Sequence, residues 1–238
     1  MKNRVKMGMA GIDAMLDGGI PEGNQVILAG GPGAGKTLLA FEYLYRGAKQ
    51  GEPGIFFSFN EDADSLLRCM KESLSGFTDI DELVMSKKLM IFGYEETKTF
   101  MQKGSESTNY AFTGMISQLQ SRIEDYHATR VVIDSLSYIR SYTKDPFEYR
   151  NLSTSLVVIL SRQHVTSLLT LETGPGTDTA HQEFFIYDGI IVLGTHGAGN
   201  QILAIRKMRS ANHARAISQY KITKDGLKVT PSQAAPAQ

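Results

Sequence analysis

Gly30-Gly31-Pro32-Gly33-Ala34-Gly35-Lys36-Thr37 has the spacing G-x-x-x-x-G-K-T. Glycines at these positions let backbone N–H groups curl around an anion with no Cβ in the way. In such a loop Gly31, Pro32, Gly33, Ala34, Gly35, Lys36, Thr37 and Leu38 form the cradle for phosphate. The Lys36 ammonium has the reach for β- and γ-phosphates, and the Thr37 hydroxyl can sit on a Mg²⁺ ion. The flanks fit. Gln25-Val26-Ile27-Leu28-Ala29 is an apolar run short enough for a buried strand, and Leu38-Leu39-Ala40-Phe41-Glu42-Tyr43-Leu44-Tyr45 is good helix material. Strand, glycine loop and helix is the required order, and the helix N-terminus adds a positive dipole end. A glycine-rich turn before an amphipathic helix is the plainer alternative, and the two flanks together argue against it.

Working outward, strand and helix patterns alternate. Ile55-Phe56-Phe57-Ser58-Phe59 reads as a strand, residues 64–74 as a helix, and Leu89-Met90-Ile91-Phe92 as a short strand. Phe112, Met115, Ile116, Leu119 and Ile123 share one helical face. Val131-Val132-Ile133-Asp134-Ser135 and residues 165–171 read as strands around a helix within 146–163. Such alternation predicts parallel strands. The later runs, 189–193 with 201–206 and 219–223 with 227–229 about Lys224-Asp225-Gly226, are joined by short turns and predict hairpins. The expected fold class is therefore α/β: a three-layer sandwich on a mostly parallel sheet, antiparallel hairpins at its C-terminal edge, and ligand at the carboxyl ends of the strands. Residues 1–230 are expected to form a single domain and 231–238 a disordered tail. The polar stretch 98–109 is expected to be a mobile surface loop.

Composition narrows the function. Of 238 residues, 25 are basic and 25 acidic, so the formal net charge is zero. That argues against a protein whose main task is holding nucleic acid electrostatically, so nucleic-acid binding is expected to be weak or absent. No run approaches the roughly 20 apolar residues of a membrane helix, and no apolar run follows Met1-Lys2-Asn3-Arg4 as in a signal peptide. A cytoplasmic protein with no membrane partner is expected. The one cysteine, Cys69, cannot close an internal disulfide and reads as a buried thiol in a helix.

Further chemistry lies outside the loop. Asp134 ends a β-branched strand, and paired with Lys36 and Thr37 it is favoured as a Mg²⁺ holder over a turn-capping Asp. Glu61 ends the strand from Ile55. It has two readings of equal weight: a base for water near the γ-phosphate, or helix N-terminal charge beside Asp62 and Asp64. Lys207 and Arg209 face one side of an extended segment, as a solvated edge or as a phosphate clamp. The five histidines have no ligand spacing, and no zinc site is expected.

These residues resemble a known family. From Met7 to about Thr230 the chain is similar to a single domain of KaiC, the circadian-clock ATPase, and to archaeal KaiC-like proteins of the RecA superfamily. The resemblance lies in Met7-Gly8-Met9-Ala10-Gly11-Ile12-Asp13, Gly18-Gly19-Ile20-Pro21-Glu22-Gly23, the glycine loop, Val131 to Ser135, and Tyr187-Asp188-Gly189-Ile190-Ile191-Val192-Leu193. The most specific match is Lys207-Met208-Arg209-Ser210-Ala211-Asn212-His213 against the family's K-x-R-G-x-x-H. The resemblance implies an ATPase that takes ATP and Mg²⁺. It implies a homo-oligomer, a hexameric ring, with Lys207 and Arg209 reaching the neighbour's ATP and His213 at the nucleotide. It also implies a protein partner that the residues do not identify. Lys36, Glu61, Lys207 and Arg209 would be its catalytic residues, and Thr37 and Asp134 its metal residues.

This chain departs from the family in places. The family often has Glu-Glu where Asn60-Glu61 stands, Ser210 replaces a Gly, and the clock protein's phosphorylated Ser-Thr pair falls at Phe184-Phe185. The clock protein has two domains. The leading expectation is a slow ATP hydrolase. A nucleotide-dependent switch or scaffold with negligible hydrolysis is the alternative that Asn60 favours, and a recombinase-like DNA-binding ATPase comes third.

Overall fold

The computed structural model describes residues 3–102, 108–143, 145–174, 182–197 and 199–230. In chain order the elements are β1 (Arg4–Val5), α1 (Ala10–Met15), β2 (Ile20–Pro21), β3 (Gln25–Gly30), α2 (Lys36–Lys49), β4 (Gly54–Ser58), α3 (Ala63–Ser73), α4 (Ile80–Met85), β5 (Leu89–Phe92), α5 (Tyr94–Gln102), α6 (Thr108–Asp125), β6 (Arg130–Asp134), α7 (Leu136–Ser141), α8 (Pro146–Arg162), β7 (Thr166–Glu172), β8 (Gly189–His196), β9 (Asn200–Met208), β10 (Ser218–Thr223) and β11 (Gly226–Thr230). One 3₁₀ turn, Gln182–Phe185, precedes β8. β1 and β2 form a small antiparallel ribbon. The other strands make one sheet in the order β11-β10-β9-β8-β3-β7-β6-β4-β5. From β8 to β5 neighbouring strands are parallel. β9, β10 and β11 add antiparallel pairs at one edge. This is the expected α/β architecture.

The order of the strands follows from what each must bury. All six residues of β3 are buried. Val26 and Leu28 join one apolar cluster with Leu39, Phe41 and Leu44 of α2. Ile27 and Ala29 point to the opposite cluster, with Met115 and Leu119 of α6 and Leu156 and Leu160 of α8. A strand apolar on both faces belongs in the middle of a sheet covered on both sides. β3 accordingly lies between β7 and β8, with Gly30 level with Glu172 and Leu193. The chain leaves β3, passes the places later taken by β7 and β6, and forms β4. That strand-order break puts the end of β3 at a crevice of the kind that holds ligands in such sheets.

Two expectations need correction. Residues 98–102 are helical, as the last part of α5, and residues 108 and 109 begin α6. Phe100 supplies the missing apolar anchor, since it is buried and stacks edge-on with Phe57 at 6.4 Å. The rest of that stretch, 103–107, lies outside the described residues, as does the tail 231–238. Cys69 is exposed. α3 buries Leu66 and Met70, one turn apart, and Cys69 lies off that stripe. The short helices α4 and α7 are also additions, each too brief to show a helical period in the sequence.

Arg130 opens β6 with a side chain that is fully buried. Its Nε donates to Glu52 Oε2 at 2.6 Å and its Nη1 to Tyr43 O at 2.9 Å, with the guanidinium 4.6 Å over the Tyr43 ring. Gly47 on α2 makes room for it. A Cβ there would stand 2.3 Å from Arg130 Nε. Helix propensity alone favours Ala over Gly by about 1 kcal/mol. Overpacking against a pinned side chain costs about 1–3 kcal/mol and should win. Gly47→Ala is expected to unfold at lower denaturant than wild type. A rise in the midpoint would show that Arg130 yields freely.

Candidate functional site

The loop leaves β3 at Gly30 and enters α2 at Lys36. Gly33 and Gly35 adopt φ +73° and +81°, left-handed values that L side chains rarely take. Gly35 is the N-cap of α2, and no side chain caps that helix end, so its first amides are available to an anion. Pro32 and Gly33 are exposed at the rim, Gly31 and Leu38 are half-buried, and Ala34 is buried.

Lys36 is buried and its Nζ donates to Gly30 O at 3.0 Å and Gly31 O at 2.9 Å. Burial lowers its pKa, while the carboxylates of Glu172 and Asp134 hold the proton on. Asp134 closes β6 two strands from β3, and is itself buried. Thr37 Oγ1 donates to its Oδ2 at 2.8 Å, and the Thr170 hydroxyl of β7 donates to its Oδ1. Burial raises the Asp134 pKa. The two hydroxyls and Lys36 oppose that, and Glu61 adds to it. Lys36, Thr37 and Asp134, far apart in sequence, thus meet at one end of the sheet.

Glu61 lies beyond the end of β4 and is half-buried. Its Oε1 accepts from Ser65 Oγ on α3 at 2.8 Å. Asn60 is exposed, and its Nδ2 donates to Ser135 Oγ at 3.2 Å. Lys207 and Arg209 are not with this group. Lys207 pairs with Ile190 on β8, which is level with Ile27 near the start of β3. Arg209 N donates to Asp188 O, and Asp188 N to Gln25 O. Both cations therefore stand toward the amino end of β3, away from the phosphate loop. Lys207 Nζ donates to Phe184 O at 3.1 Å, Phe185 O at 3.4 Å and Tyr187 O at 2.5 Å. Burial and Arg209 lower its pKa, and Asp188 opposes them. Arg209 donates to Phe185 O at 2.9 Å and pairs with Asp188 Oδ1 at 3.4 Å. His213 is half-buried on the loop after β9. The next residue, Ala214, ties that loop to α1 through a bond to Met15 O at 2.8 Å.

Thr170 is a site neighbour that the sequence reading passed over. The available signal was a hydroxyl between Leu169 and Leu171 in a buried strand, because a buried polar group needs a partner. A magnesium ion suits the group. Thr37 and Asp134 offer hard oxygen donors 2.8 Å apart, and Mg²⁺ commonly takes one or two protein ligands and completes its shell with phosphate and water. Among the described residues no cluster of His, Cys, Asp and Glu could hold a metal alone, and no helix is long and apolar enough to cross a membrane.

A glycine loop between a central parallel strand and its helix, facing a strand-end aspartate, defines a P-loop protein of RecA-like fold. The chain belongs to the KaiC family of ATPases, whose family model matches residues 5–234. A UPF0273 protein of Pyrococcus horikoshii is 30% identical, over 98% of this chain and 96% of its own length. The circadian clock oscillator protein KaiC of a Picosynechococcus species is 29% identical over 96% of this chain, which spans 44% of that protein. The crystal structure of a KaiC-like protein from Pyrococcus horikoshii superposes with a TM-score of 0.83 at 30% identity, covering 97% of this chain and 100% of that one. Nucleotide binding and ATPase chemistry come with the family.

Thr170 gives a pH test. A hydrogen bond to a carboxylate lowers its pKa, so Thr170→Val should raise that of Asp134. If hydrolysis needs Asp134 ionised, the acid limb of the pH–rate profile for ATP should move to higher pH in the variant. A limb that stays in place would separate Thr170 from the chemistry.

Proposed function

We propose that residues 1–230 form a single ATPase domain that hydrolyses ATP slowly and works as a ring, a hexamer by family resemblance. The observation that carries the nucleotide reading is the meeting of Lys36, Thr37 and Asp134 at the end of β3, within hydrogen-bond reach of one another or of the loop. In this reading the loop amides and Lys36 bind the β- and γ-phosphates. Thr37 and Asp134 hold Mg²⁺, which when bound offsets phosphate charge. Glu61 orients or deprotonates the attacking water.

The ring reading rests on distance. Arg209 is level with Gln25, and five residues of parallel strand separate Gln25 from Gly30, roughly 16 Å. The pair is badly placed for its own chain's phosphates, which leaves a second copy's as the ones it could serve. A heterologous contact of this kind makes a ring where its rotation closes, and the family resemblance favours the closed form. Lys207 and Arg209 of one copy would then stabilise phosphate charge on the next, with His213 beside them at that nucleotide.

The switch reading has its own support. Glu61 is engaged by Ser65 and Asn60 by Ser135, and an Asn amide has no usable base at neutral pH. Nucleotide would then govern assembly and binding of a protein partner with little turnover. DNA binding of the recombinase kind is disfavoured by the zero net charge.

Two experiments test these roles. Lys36→Ala protein and Lys207→Ala/Arg209→Ala protein should each be inactive. In an equal random mixture roughly a quarter of the heterologous interfaces are intact, so ATPase activity should partly return. No recovery in demonstrably mixed assemblies would leave the two cations as a solvated edge. In the second, Glu61→Gln should slow hydrolysis by about 10²–10⁴-fold with ATP affinity near wild type, and Asn60→Glu should speed it. A Glu61→Gln rate close to wild type would mean that the carboxylate serves only the start of α3.

A further inference from the structure

The hairpin of β10 and β11 lies at the sheet edge, and in strand order β10 is separated from β3 by β9 and β8. It nevertheless packs on the phosphate loop. Tyr220 is buried, and its hydroxyl donates to Ala34 O at 2.6 Å. Ile222 Cδ1 sits 2.4 Å from where a Gly35 Cβ would be. The same hairpin is fastened to α2. Leu227 N donates to the buried carboxylate Oε2 of Glu42 at 2.7 Å, and Arg46 donates to Asp225 O at 3.0 Å. The contact is thus built from several independent groups.

The Ala34–Gly35 peptide is trans. In a trans peptide the C=O and the following N–H point in opposite directions across one plane. A carbonyl held toward the buried Tyr220 hydroxyl turns the Gly35 N–H the other way, away from the β10 hairpin. We propose that Tyr220 is a positioning residue for phosphate binding: by holding Ala34 O toward the core it keeps the Gly35 amide aimed at the nucleotide's phosphates. Its O–H stays a donor throughout the neutral range, because burial pushes the phenol up to about 12. Phe at this position keeps the ring and loses only the bond, and nothing else in the loop replaces it.

The inference rests on the reading of the loop as a nucleotide site, and the experiment separates the two. ATP binding to wild type and Tyr220→Phe is measured by calorimetry. Hydrogen exchange is followed by mass spectrometry without nucleotide, comparing the peptide over 30–37 with peptides from β8 and β9. Tyr220→Phe should weaken ATP roughly threefold to twelvefold, as for loss of one well-made hydrogen bond in a binding loop. The loop peptide should exchange faster while the β8 and β9 peptides keep their wild-type rates. An ATP affinity within twofold of wild type, an unchanged loop peptide, or faster exchange across β8 and β9 as well would each overturn the positioning role. A wild-type protein that binds no ATP would overturn the nucleotide reading and this inference with it.

Discussion

Everything at the site depends on where β3 is held. Its six residues are buried, and it starts from a fixed end. Gln25 donates through its side chain to Gly23 O at 2.9 Å and Val165 O at 3.0 Å, accepts from the Ser167 hydroxyl, and through its backbone N–H donates to Asp188 Oδ2 at 3.0 Å. A buried amide with every group paired specifies register as well as burial. A slip of one residue would carry Val26 and Leu28 to the wrong cluster and strand the Gln25 amide among apolar neighbours. The last residue of that strand is the first of the phosphate loop, so the register of β3 sets the position of the cradle.

Asp134 does for the crevice what Gln25 does for the strand. It receives Thr37 from the start of α2 and Thr170 from β7 while ending β6. Three elements converge on one buried carboxylate. A buried charge is tolerated when hydrogen-bonded on several sides, and here those bonds come from separate parts of the chain. The site is therefore tied together by the chain's own residues, and a helix or strand displaced from this point would cost the carboxylate one of its partners.

Much of this was legible in the sequence for definite reasons. The glycine loop is local, and so was read whole. β3, β4 and β6 were visible because parallel strands buried on both faces give continuous apolar runs. α4 and α7 were not, being six residues each. The helical part of 98–102 was hidden because the buried Phe100 anchors it at the edge of a largely polar stretch. Lys207 and Arg209 could be read as sharing a side of the chain, yet their distance from the loop is a matter of strand order, which no short spacing carries. Thr170 and Tyr220 are known only by what they touch, and those contacts span 36 and 186 positions in the chain.

Lys36 and Lys207 share a feature: each ammonium is already engaged by main-chain carbonyls of its own chain, two for Lys36 and three for Lys207. An incoming anion therefore competes with ligands in place, and its gain is only the excess over carbonyl oxygen. A small singly charged anion such as chloride offers little beyond what two or three carbonyls supply. A polyphosphate, with several charged oxygens in reach, exceeds it readily. The carbonyls thus keep both charges partnered within their own chain.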